Sequence, residues 1–121
     1  LLVLAPVSAF AADPLVGIWQ TEPDHKDLTS HIEISQCGTK FCGKVLEAFN
    51  PSGKKVMNKN IGKQIFWGLV AEGDGKYDDG TIWVPTLGIH AKGEITLSGN
   101  TLKVSGHEGP IKDSQVWTRI D

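Results

Sequence analysis

Basic residues are in short supply. Twelve Lys and Arg stand against 14 Asp and Glu, a formal net charge of −2, and the cations are scattered rather than gathered. No basic stripe is left to follow a nucleic-acid backbone, and no basic amphipathic helix to lie on a membrane surface, so neither partner is expected. Cysteine is scarcer still: there are two in 121 residues, with no His beside either. His25, His31, His90 and His107 do not pair with one another at short ligand spacing, so no metal and no cofactor is expected. A Gly-x-Ser-x-Gly nucleophile elbow is missing. So is a phosphate-cradling loop, because Gly73-Asp74-Gly75 has acidic neighbours that would repel phosphate. The chain therefore reads as non-enzymatic.

What is present points outward and to strands. Leu1 to Ala11 is an uncharged apolar run ending in the small-x-small pattern Ala9-Phe10-Ala11, the core and cleavage site of an export signal. The competing reading, a transmembrane anchor, needs about 18–20 apolar residues, and Asp13-Pro14 interrupts the run too early. Residues 1–11 are thus expected to be a signal peptide, removed on export to the periplasm, and residues 12–121 a single domain. Fourteen glycines and six prolines in so short a chain imply many turns and many short strands. In an exported protein, Cys37 and Cys42 read as a disulfide; a metal pair or two free thiols are the alternatives. A ring that small would stabilise by only about 2 kcal/mol.

Strands are expected over 16–21, 30–35, 41–48, 64–71, 81–84, 89–98, 101–105 and 115–120. The alternation of Ile32 and Ile34 against His31, Glu33 and Ser35 is typical of a half-buried strand. Setting Cys37 opposite Cys42 would place Ile34 against Val45 and Ile32 against Glu47. Gly99-Asn100 is expected to turn a tight hairpin. Residues 72–80 read as an acidic, turn-rich connection. Residues 50–63, with four lysines and only Val56, Met57 and Ile61 as larger apolar side chains, read as the longest loop: a lid, or a solvated connection. With no βαβ alternation, the fold class is all-β, a sandwich or a barrel.

The chain ends favour the barrel. Gly17-Ile18-Trp19 near the start and Arg119 in the last strand resemble the calycin signature of lipocalin-like barrels. That resemblance implies an indole laid across the closed end with the guanidinium of Arg119 packed over Trp19, a structural pairing. A fuller likeness runs through Cys37 and Cys42 followed by Gly43-Lys44-Val45, then Lys59-Asn60, Gly68-Leu69 and the run from Gly80 to Pro85. It continues through the run from Gly99 to Gly106 and the closing Trp117-Thr118-Arg119. By these the sequence resembles the bacterial exported family known as domain of unknown function 2147, which implies a small periplasmic barrel of about eight antiparallel strands. It departs from that family's pattern at Gly88-Ile89-His90-Ala91, where a Gly-Lys-x-Tyr run is usual, so any role of that aromatic does not carry over.

Candidate ligand-lining residues are Phe66, Trp67 and Trp83, which either wall a pocket for a small apolar ligand or fill the core. Glu47, the one charge that the expected register sets on the inner face, either orients a ligand at the mouth or reaches solvent. The leading expectation is a binding module. The alternative is a protein-interaction or envelope-stress module with a filled core, and a cavity of roughly 300 Å³ or more would separate the two.

Overall fold

The structure, a computed structural model, describes residues 13–121 apart from Thr86; the expected signal segment lies outside the described residues. It is all-β. The strands are β1 (Gly17–Gln20), β2 (Thr29–Cys37), β3 (Lys40–Phe49), β4 (Lys55–Val56), β5 (Gln64–Gly73), β6 (Lys76–Val84), β7 (Ile89–Ser98), β8 (Thr101–Glu108) and β9 (Ile111–Arg119). They pair antiparallel in the order β2-β1-β9-β8-β7-β6-β5-β3-β4, and β2 also pairs with β3. Eight strands therefore close into a barrel, while β4 pairs with the far end of β3, at Ala48 and Phe49, along the edge that β5 occupies at 41–44. No helix long and apolar enough to cross a membrane is found among the described residues.

Period-two alternation sends one face of each strand inward. Trp19, Phe66, Leu15, Ile32, Ile34, Leu69, Ile95 and Leu102 are each less than 2% exposed; burial of such a side chain contributes about 1.5–3 kcal/mol. Where sequence and structure differ, strands reach further than expected. The 72–80 connection shrinks to the turn at Asp74-Gly75, because β5 runs on to Gly73 and β6 starts at Lys76. A bulge at Asp78-Asp79 lets β6 pass through this acidic stretch, Asp79 taking the left-handed conformation (φ 62°). β9 starts at Ile111 rather than near Gln115, and the 50–63 loop carries the short β4.

The β2–β3 hairpin also pairs differently. Cys37 lies opposite Lys40 and Cys42 opposite Ser35, so the turn has only two residues, Gly38 and Thr39. Gly38 has φ +68°, the conformation that a two-residue hairpin favours glycine for at its first position. Cys37 and Cys42 are nonetheless joined, across the diagonal, by a disulfide with Cα atoms 5.9 Å apart. Further along, Ile32 faces Val45 and His31 faces Glu47, leaving Leu46 as an extra residue on β3.

The strand ends divide the barrel into two poles. At one lie the tight turns 38–39, 74–75 and 99–100 together with both ends of the described chain. At the other lie the loops 21–28, 57–63 and 85–88 and the β8–β9 turn.

Candidate functional site

The pole with the tight turns is plugged. Trp19 is fully buried there, and its indole N–H donates to the Leu15 carbonyl (3.0 Å). The Arg119 guanidinium lies 4.2 Å over the Trp19 ring and donates to the carbonyls of Val16 (3.3 Å) and Pro14. Gly17 must be glycine: a Cβ there would stand 2.5 Å from the Asp121 carbonyl oxygen and 2.7 Å from Arg119 Nη1. Beside this plug the Tyr77 hydroxyl donates to the Asp13 carboxylate (2.5 Å). Burial, and then the hydrogen bond and charge of Asp13, hold that hydroxyl well above the usual tyrosine range.

The other pole is open. A cavity of about 410 Å³ enters there and runs down to Phe66 and Trp117, whose rings sit 6.3 Å apart. Val45, Ile82, Val84, Ile89, Ala91 and Val104 wall it, and Gly106 adds bare backbone. The wall is apolar because these are the inward positions of their strands: Ile82 pairs with Ala91, Val84 with Ile89, and Leu102 with Trp117. At the mouth stand Leu28, Leu87 and Ile111 with the polar side chains of Thr21 and Ser30, while Gln115 lies deeper, opposite Val104, where its carboxamide oxygen accepts from the Trp117 indole N–H (2.9 Å). Asn58 and Asn60 also reach the mouth, so the 50–63 loop borders the entrance. Beyond it a second depression, formed by 24–28, 57–60 and Pro85, makes a vestibule that shares Asp24, Leu28, Asn58, Asn60 and Pro85 with the cavity.

Of the residues singled out from sequence, Phe66 forms the cavity wall. Trp83 borders the cavity through its strand, but its ring packs at a tilt against His90 (centroids 5.0 Å apart), directly across the β6–β7 ladder. Trp67 pairs with Thr81, and its ring meets the same His90 (5.7 Å). Since Ile82 and Ala91 point inward, these two tryptophans and His90 form a cluster on the outer wall, and Trp67 does not line the cavity. Glu47 is also displaced from the inner face, because the extra residue at Leu46 turns it outward. It sits across from His31 and pairs with Lys55 Nζ at 2.8 Å, a surface pair worth about 0–1 kcal/mol. Trp117 and Val104 were not anticipated as lining residues, although the alternation Leu102-Val104 and the position of Trp117 two residues before Arg119 already marked them as inward. Among the described residues no three His, Cys, Asp or Glu side chains gather as a metal site requires.

A model of a bacterial family, described as an uncharacterised protein conserved in bacteria (DUF2147), matches residues 17–119. No curated protein matches the chain. Among solved structures, protein HP1028 from the human pathogen Helicobacter pylori, described as belonging to the lipocalin family, is similar in fold. Its TM-score is 0.71 at 17% identity, covering 91% of this chain and 84% of that one.

Proposed function

This chain belongs to the DUF2147 family of bacterial proteins, and from that membership and its lipocalin-like barrel we propose that it is a periplasmic, non-catalytic carrier of a small, partly apolar ligand. The observation that carries the reading is the cavity. Its volume of about 410 Å³ lies inside the range of roughly 300–1,000 Å³ typical of small-molecule sites. A largely apolar wall, with Gln115 held by Trp117 and most of the polar groups at the mouth, suits a ligand that buries a hydrocarbon portion and keeps a polar end near water. The disulfide fits an oxidising compartment.

Native mass spectrometry of protein purified from the periplasm tests the proposal. A co-purifying small molecule, lost or reduced when Val104→Trp narrows the cavity, is the expected result. A clean apo mass, together with no binding of a neutral fluorescent apolar probe such as N-phenylnaphthylamine, would overturn it in favour of the interaction module.

A further inference from the structure

The cavity carries a sign. Among its lining residues are four carboxylates, Glu22, Asp24, Glu108 and Asp113, and no Lys or Arg; His107 is the one other titratable side chain there. The carboxylates come from two neighbouring segments of the rim, Glu22 and Asp24 from the 21–28 loop and Glu108 and Asp113 from the β8–β9 hairpin, since β1 and β9 are adjacent strands. None of the four is in an ion pair among the described residues. Their known bonds are to backbone N–H groups: Glu22 accepts from Val116, Asp24 from Lys26 and Leu28, and Asp113 from Ser114. These contacts hold Glu22 and Asp24 in place and leave the charge of all four carboxylates uncancelled. The nearest cations are Lys26 and Lys59, which line the vestibule with His25, and Lys112, which lies opposite His107 in the β8–β9 hairpin but does not line the cavity.

We propose that the ligand is a cationic amphiphile, an apolar chain or ring bearing an amine or quaternary ammonium group, with its apolar part against Phe66 and Trp117 and its charged head against this acidic stretch of the rim. The inference rests on the carrier reading and adds the ligand's chemical class. An apolar interior selects for hydrocarbon of any kind; the rim then discriminates by charge. An anionic head at the same depth would face four like charges with no cation lining the cavity to offset them. Because the rim is solvated, the preference is expected to be about tenfold rather than absolute, and to shrink as salt shortens the screening length.

Displacement of N-phenylnaphthylamine by decyltrimethylammonium, decanol and decyl sulfate, each below its micelle concentration, tests this. The cation is expected to bind about tenfold tighter than decanol, with decyl sulfate weakest, and Glu108→Gln with Asp113→Asn should bring the cation towards decanol. Equal or tighter binding of decanol or decyl sulfate would overturn the charge selection and leave the carrier reading standing. A preference for the cation that survives both substitutions and high salt would overturn the role of the rim. If neither the probe nor any of the three binds, both readings fall.

Discussion

Gly43 offers the sharpest test of how the cavity is held open. It is buried on β3 opposite Ile34, with Phe66 as its neighbour on β5. A methyl carbon there would stand 2.2 Å from Phe66 Cε2, 2.6 Å from Cζ and 2.8 Å from Cδ2. Since carbon contacts settle near 3.5–4.0 Å, Gly43→Ala must push the ring back by roughly 1.5 Å. The ring borders the cavity beside Trp117, so it is expected to swing into the empty space. Overpacking costs about 1–3 kcal/mol, and the lower chain entropy of alanine in the unfolded state returns about 0.4–1. A net destabilisation of about 1–2 kcal/mol is expected, a fall in Tm of roughly 5–10 °C. Binding of N-phenylnaphthylamine should weaken in the same variant, since the displaced ring takes ligand volume. Thermal unfolding and probe titration of Gly43→Ala, and of Gly43→Ala combined with Phe66→Leu, make the measurement; the smaller leucine should recover both properties in part. A Gly43→Ala protein with unchanged Tm and unchanged probe affinity would show that Phe66 is not backed against β3.

Two predictions concern the plugged pole. Arg119→Lys keeps the charge but loses the planar fork that stacks on Trp19 while reaching two carbonyls; a loss of about 1–2 kcal/mol is expected in urea unfolding, with probe affinity unchanged because the cavity opens at the other pole. Tyr77 gives a pH dependence. Its hydroxyl is held protonated in the folded state above its ordinary value, so its contribution is complete below about pH 10, the unfolded value, and is lost as pH rises from there through the folded one. Between pH 9 and 11 (roughly one unit either side of that unfolded value), Tm should fall more steeply for the natural protein than for Tyr77→Phe, and parallel curves would refute the coupling.

The plugged pole was legible because short motifs carry it. Gly17-Ile18-Trp19 and a terminal Arg119 define the plug, and Gly99-Asn100 turns the β7–β8 hairpin between paired Ser98 and Thr101. The faces of β2, β7 and β8 followed from alternation. What sequence reasoning missed were interruptions of that period. A two-residue slip in the β2–β3 hairpin leaves every face unchanged, so the hydrophobic pattern cannot detect it, and the cysteines misled because the disulfide joins diagonal rather than facing positions. The extra residue at Leu46 does change faces, and it moved Glu47 out of the candidate site. Trp67 and Trp83 were weighed as cavity residues for their size; their parity relative to Ile82 decides otherwise, and it becomes visible only once the β6–β7 register is known.

Both ends of the described chain meet at the plug. Asp13 bonds to Tyr77, and the Asp121 carbonyl accepts from the Ile18 N–H at 2.7 Å, while the mouth of the cavity faces the opposite way. The barrel is thus built like a cup with its handle at the base. A surface anchor, an affinity tag or a fused domain joined at either end would point away from the entrance, so the protein can be immobilised on a sensor through either end with its mouth presented to solution.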